Sequence, residues 1–303
     1  MANLRDEAGL NPFRPRYAGP WIVVAMLAVS TAAIFIKLSG SHPVAIAFWR
    51  LLIAWLLILP FAVRDLRRDD TVMNWRMAGR LLVVGVCLAL HFTMWIWSFQ
   101  YTSVASSVLL VTTHPVFVAL MAFFLFDERL KLVGVLGMLL ALFGSAVVLG
   151  GDLTETGSSL TGNLLAVGGA LMAGAYILAG RRFRRKVSLP VYALFVYGGA
   201  MAALLAFAVY LEAPIIVRDP VEYLIFGALA LGPMLLGHTV MNWALKYVSP
   251  TVVSVSLLAE PIGSTALAYL ILNEIPFTGA LLGAPIVLLG IYLVARRGSI
   301  KTS

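Results

Sequence analysis

Residues 97 to 148 recur, without a gap, from residue 243 onward. Trp97, Tyr101, Ser103, Pro115, Glu128, Gly137 and Gly144 return as Trp243, Tyr247, Ser249, Pro261, Glu274, Gly283 and Gly290, each 146 positions later (243 − 97 = 146). That period is far longer than the repeats of soluble solenoids. It also runs through nearly unbroken apolar sequence, so the chain is built from two related halves that fold in a membrane. Duplicated membrane folds commonly place a solute site between their repeats.

Composition carries the same message. Of 303 residues, 61% are hydrophobic and 12% charged, with mean hydropathy +0.95. Soluble domains are about 45–50% apolar and 25% charged, so the expected class is an all-α integral membrane protein. The net charge of +8 would point to nucleic acid in a soluble chain, but here its distribution reports topology. The single cysteine, Cys87, lies within an apolar segment and reads as a buried structural thiol. The apolar run after Trp21 has no small-residue cleavage site, so it reads as an uncleaved first span.

A helical span needs about 20 apolar residues. Charged and turn-rich breaks delimit ten of them: 20–38, 43–63, 78–101, 104–126, 131–150, 160–180, 190–211, 221–246, 250–272 and 277–296. Basic residues in short loops mark the cytoplasmic side. With the N-terminus inside, 19 of them fall on that side, from Arg5 through Arg64 and the Arg181–Lys186 run to Lys301. Only Lys37 and Arg218 fall outside, and Arg50 lies within span two. Both termini are therefore expected in the cytoplasm. Five spans per half is an odd number, which requires the halves, 1–150 and 151–303, to sit inverted as a 5+5 repeat. Pro43, Val44 and Phe48 recur as Pro190, Val191 and Phe195 at an offset of 147 (190 − 43 = 147).

Ionisable groups inside a span cost at least about 2–3 kcal/mol at its centre, so each needs a partner or a task. Glu260 sits some 11 residues from either end of span nine, about 16 Å deep at 1.5 Å per residue. Ser249, Ser256 and Ser264 share its helical stripe. His114 stands at similar depth in span four, on a stripe with Ser103 and Ser107. Both read either as cavity residues or as helix–helix hydrogen-bonding groups beside prolines. Span three places His91 and Trp95 at i, i+4 with Ser98 at i+7, and span eight answers with His238 and Asn242 at the same spacing. An aromatic ring, neutral imidazoles and an amide suit an amphipathic or zwitterionic solute, and histidine can also shuttle a proton. Arg50 reads as a residue that snorkels, pairs with an acidic neighbour or binds a carboxylate. Trp97, Tyr101, Trp243 and Tyr247 read as structural or interfacial anchors. The small residues of Ala166–Gly174 permit close helix approach, with a dimer motif as the sharper reading.

Several motifs bring a known family into view. Span two carries Phe48-Trp49-Arg50-Leu51-Leu52. Spans four and nine each hold a mid-helix proline and a glutamate just past the end: Pro115 with Asp127-Glu128, and Glu260-Pro261 with Asn273-Glu274. Span six reads Gly162-Asn163-Leu164 through Ala175-Tyr176 to Arg181-Arg182. In this order and spacing the chain resembles the drug/metabolite transporter superfamily, specifically its EamA-type bacterial exporters, among them exporters of aromatic amino acids. One departure stands out: His114 holds in span four the place Glu260 holds in span nine.

The resemblance implies a secondary transporter in a bacterial inner membrane that moves small amphipathic metabolites, amino acids and above all aromatic ones, out of the cytoplasm by alternating access through a cavity between the repeats. It adds Tyr176 to the cavity candidates His91, Trp95, Ser98, Ser107, His114, His238, Asn242, Ser256 and Glu260. A proton or another ion is the expected coupling partner, and a monomer or weak homodimer the expected assembly. A multidrug exporter of lipophilic cations is the alternative within transport, favoured by Glu260. The chain carries no phosphate-cradling loop, metal-ligand spacing or nucleophile elbow. No cofactor or nucleic acid is expected, and the scattered single histidines make an intramembrane enzyme the weakest reading.

Overall fold

A computed structural model describes residues 18–67, 73–126, 129–156, 159–183, 186–244, 257, 259–297 and 299–300. The first half contains α1 (Ala18–Ser30), α2 (Ala32–Leu38), α3 (Pro43–Leu66), α4 (Trp75–Ser98), α5 (Val104–Val111), α6 (His114–Phe126) and α7 (Leu132–Gly151). The second contains α8 (Leu160–Phe183), α9 (Leu189–Tyr210), α10 (Pro220–Leu229), α11 (Val240–Ala244), α12 (Ala259–Leu272) and α13 (Thr278–Arg297). A wider π-helical stretch, Ala230–Thr239, joins α10 to α11. It contains Pro233, which lacks the N–H an α-helix needs there and whose ring crowds the preceding turn. Widening the turn relieves both problems.

Among the described residues, seven helices are long and apolar enough to cross a bilayer: Pro20–Leu38, Pro43–Leu66, Trp75–Ser98, Leu132–Thr154, Leu160–Gly180, Leu189–Tyr210 and Pro220–Ala244. The protein is thus a multi-pass membrane protein. The other three expected spans are represented by shorter apolar helices, Val104–Val118, Glu260–Leu272 and Thr278–Leu293. Span four is broken near its middle, where Thr112 and Thr113 part α5 from α6. The all-helical expectation has one small exception. Arg129 and Leu130 pair antiparallel with Ile300 and Ser299, tying the two chain segments together at one end of the bundle.

The repeat is visible in how its glycines meet. Gly144 packs against Val287, and Gly283 against Gly144 and Val148. Gly290 packs on Gly137 and Ala141, and Gly279 on Gly151. Position numbers fall on α13 as they rise on α7, so the two helices are antiparallel. A side chain on Gly144 would lie 2.8 Å from the Val287 backbone nitrogen, which explains glycine there. Gly137 meets Gly290, the counterpart of Gly144, while Gly144 meets Gly283, the counterpart of Gly137. Such a swap is the mark of a two-fold axis between the helices.

Spans three and six pack with similar intimacy. Gly169 of α8 lies under Trp95 and His91, Gly168 under Met94, and Gly174 against Phe117 and His114. The Ala166–Gly174 small-residue stripe thereby closes the chain's own helices on one another.

Candidate functional site

A second helix begins partway along span four. Helix α6 starts at His114 immediately after the Thr112–Thr113 turn, and α12 is described from Ala259 onward with Glu260 in its first turn. Pro115 and Pro261 follow directly. Proline suits the first turn of a helix, because its missing N–H would have no partner there. Pro115 therefore stands at a helix start instead of mid-helix. By the 146 offset His114 and Glu260 are counterparts (260 − 114 = 146). Half-helices that meet at mid-membrane are a recurrent way to build a solute site.

Between them lies a cavity with about 80 Å³ open to the centres of water-sized molecules, where a single water needs about 10–15 Å³. His91, Trp95, His114, Tyr176, His238, Asn242 and Glu260 all line it, joined by apolar Val29, Val111, Ala173, Ile177, Met241 and Leu257. Both halves contribute walls.

The imidazoles are oriented by backbone carbonyls. His91 Nδ1 donates to the Gly169 carbonyl at 2.9 Å and His114 Nδ1 to the Val111 carbonyl at 3.3 Å. A carbonyl can only accept, so each neutral ring presents Nε2 as an acceptor. The His91 ring stacks on Trp95 with centroids 5.9 Å apart and meets His238 edge-on at 6.4 Å. The two histidines therefore adjoin instead of facing one another across an opening. Their separation is 147 (238 − 91 = 147), the offset that Pro43 and Pro190 also show. Asn242 Nδ2 donates to Tyr176 Oη at 2.6 Å and to the His238 carbonyl at 2.9 Å, which holds Tyr176 against α11.

What the cavity leaves unsatisfied is as informative. Trp95 Nε1 and His114 Nε2 are buried without a hydrogen-bond partner. The Glu260 carboxylate enters none of the hydrogen bonds or ion pairs found among the described residues. An unpaired buried polar group costs about 1–3 kcal/mol. Two such groups beside the Glu260 carboxylate form a set that a polar solute would complete.

The remaining candidates lie elsewhere. Ser98 and Ser107 are fully buried and hydrogen-bonded to each other at 2.6 Å, with Ser98 also donating to the Trp95 carbonyl. They lock α4 to α5 and do not line the cavity. Ser264, on the expected stripe of Glu260, donates to the Ser30 carbonyl of α1 at 3.1 Å. Ser256, Ser249, Tyr247 and Glu128 lie outside the described residues. Arg50 is wholly buried and neither snorkels nor forms an ion pair among the described residues. Its guanidinium carbon lies 4.1 Å from the centre of the Phe92 ring.

A sequence model described as the EamA-like transporter family matches residues 17–150 and again 160–296. The chain belongs to the EamA-like transporter family. Those two matches are the two halves seen in the repeat. Among relatives, an uncharacterized transporter of Archaeoglobus fulgidus is 24% identical over 290 residues, spanning 93% of this chain and 97% of that one. The uncharacterized transporter YdfC of Bacillus subtilis is 23% identical over 277 residues, spanning 89% and 87%. A solved crystal structure shares the fold with TM-score 0.64 and 24% identity, over 91% of this chain and 95% of that chain.

In this EamA-family chain a second, quite different group of polar residues gathers at one end of the bundle. The Glu222 carboxylate accepts from the Ser39 hydroxyl, from Gly40 N at 2.7 Å and from the Ser41 hydroxyl at 2.8 Å. Glu274 accepts from Val104 N, at the start of α5, at 2.6 Å. Asp152 accepts from Thr102 Oγ1 and Asn163 Nδ2, both at 2.8 Å. Both glutamates belong to the second half and their partners to the first, so these bonds tie the repeats together. His42 caps α3 at the same end: its Nδ1 accepts from Val44 N at 3.3 Å. Burial holds the His42 imidazole below its ordinary pKa, which keeps that nitrogen free to accept.

Proposed function

We propose that the chain is a secondary transporter that moves small amphipathic metabolites, aromatic amino acids foremost, out of the cytoplasm of a bacterium across its inner membrane. The observation that carries this reading is the cavity between the two halves. It sets Trp95, Val111, Ile177 and Met241 beside two unsatisfied polar atoms, Trp95 Nε1 and His114 Nε2, and the Glu260 carboxylate. A mostly apolar pocket with a few convergent polar groups is how a small amphipathic ligand is recognised.

The mechanism is alternating access in a ten-helix, 5+5 inverted repeat with both termini in the cytoplasm. The swapped glycine contacts of α7 and α13 support inversion, and the 19-to-2 division of basic residues supports the orientation. In this orientation Glu222, Glu274 and Asp152 close the outer end. Their bonds between halves must break for the cavity to open outward and re-form as it turns inward. Glu260 and the cavity histidines are the groups available to couple transport to protons. The small-residue stripe is taken up within the chain, so a monomer or weak homodimer suffices.

The test is uptake of labelled solutes into vesicles reconstituted with the full chain. Saturable transport of phenylalanine and tyrosine, absent from protein-free vesicles, is expected. Transport of tetraphenylphosphonium with every amino acid inert would replace this reading with a lipophilic-cation exporter, the role favoured by a carboxylate in so apolar a cavity.

A further inference from the structure

Arg50 is the most costly side chain in the molecule as it stands. It is 0% exposed, and its Nε and Nη1 have no hydrogen-bond partner. Nη2 approaches only the Met234 sulfur, at 3.9 Å, and a thioether is a weak acceptor. The sole ion pair found among the described residues, Arg64 with Asp65, lies elsewhere. The Phe92 face supplies a cation–π contact at 4.1 Å, which compensates part of a desolvated charge. A guanidinium has five donors and cannot shed its proton, so most of its capacity is idle.

Its position says what would use that capacity. Met234 lies one helical turn before His238, and the edge of the His238 ring meets Phe92 at 5.5 Å. Arg50 therefore lies directly behind Phe92 and His238, and His238 lines the cavity. Along α3 it is seven residues from Pro43, the end nearest the Ser39–Ser41 clasp on Glu222. By rise per residue it is about 10 Å in from that end. It thus stands between the cavity and the clasped end, on the path a solute takes when that end opens.

Resting on the transport reading above, we propose that Arg50 is an anion-binding station of the solute pathway and that the transported solutes carry a carboxylate. The planar fork of a guanidinium accepts a carboxylate through two parallel hydrogen bonds. Glu260, which lines the cavity and forms no ion pair with Arg50 among the described residues, is left to take an ammonium group. Together they fit the two ends of a zwitterion, with Trp95 and the apolar wall taking its side chain. The idle donors also explain an arginine where apolar packing would be cheaper: a permanent internal partner would compete with the solute.

The test compares 3-phenylpropionate, its amide, phenylalanine and phenethylamine, with binding to the purified full chain read as a shift in melting temperature, since a ligand that binds only the folded state raises it. In the wild type the two carboxylates should stabilise, and the amide and amine should not. Arg50→Gln should weaken carboxylate binding by more than about tenfold, the equivalent of one charged hydrogen bond, and erase the preference for acid over amide. Arg50→Lys, which keeps the charge without the fork, should retain the preference at lower affinity. Equal stabilisation by acid and amide in the wild type, an unchanged preference in folded Arg50→Gln, or no carboxylate effect on the folded wild type would each overturn the proposal. Binding of phenylpropionate through Arg50 while amino acids are neither bound nor transported would leave the anion station standing and remove the amino-acid reading. Phenylalanine transport unaffected by Arg50→Gln would do the reverse.

Discussion

Glu260 and Glu222 are both carboxylates set into apolar helices, yet the fold treats them in opposite ways. Around Glu222 every approach is occupied: two serine hydroxyls and a backbone N–H converge on it, all from the other half of the molecule. Around Glu260 none of the described residues donates to the carboxylate. It lines the cavity beside an unpartnered indole N–H and an unpartnered imidazole nitrogen. A saturated carboxylate is a fastening, whereas an unsaturated one is a site waiting for a ligand. The difference separates the parts that hold the halves together from the parts that meet the solute.

The largest expected effect comes from replacing the unsaturated carboxylate. Glu260→Gln keeps shape and removes charge, so transport should fall by more than about tenfold, the equivalent of one charge-assisted interaction, while the melting temperature barely moves. Full transport with a large loss of stability would make Glu260 a fastening like Glu222. The mirror experiment is Glu222→Gln, which weakens three bonds between the halves and should cost about 1–3 kcal/mol of stability, read by thermal unfolding in detergent. Transport per folded molecule should change less than in Glu260→Gln, and the opposite ranking would break the comparison.

Two tryptophans sharpen it further. Trp95 lines the cavity, whereas Trp97, two residues on, packs edge-on against His42 at 5.5 Å, at the clasped end. An aromatic pair is worth about 0.5–1.5 kcal/mol beyond its buried area. Trp95→Ala should therefore slow transport of aromatic solutes several-fold more than that of aliphatic ones, and Trp97→Ala should lower stability without altering selectivity. Initial rates over solute concentration at equal expression decide, and a selectivity change confined to Trp97→Ala would contradict the assignment.

The smallest effect concerns pH. Because the folded chain holds the His42 pKa below its ordinary value, the unfolded chain takes up that proton first as pH falls. His42's share of the stability is then level above about pH 6.5 and declines below it, through the lower folded value. His42→Asn keeps a capping side chain without the titration and should flatten that part of the melting-temperature profile. An identical slope in wild type and variant would show that His42 is not responsible.

Much of this contrast could be read from the chain itself. The 146-residue repeat located both halves and the glycines that pair α7 with α13, and the i, i+4 spacings assembled His91, Trp95, His238 and Asn242 before any coordinates. Hydropathy alone did not resolve where spans break: Thr112-Thr113-His114-Pro115 was a helix-start signal inside an apolar run, and Gly232-Pro233 marked the π-helical stretch. Ser98 and Ser107 show a different limit. A helical projection assigns a face but not the neighbour that face meets, and these two hydroxyls satisfy each other. Arg50 shows the same limit. Its depth leaves snorkelling, pairing and carboxylate binding open, and only the packing of α4 and the π-helical stretch around α3 turns it inward.

The central claim, that the cavity holds the solute, is tested most directly by protection of a single cysteine. Ala173→Cys places a thiol on the cavity wall and Leu205→Cys one on the exposed outer surface, both in a Cys87→Ala background. Phenylalanine should slow alkylation at position 173 in proportion to its occupancy and leave position 205 unchanged. Equal rates at position 173 with and without phenylalanine, in a protein that still transports it, would place the solute elsewhere.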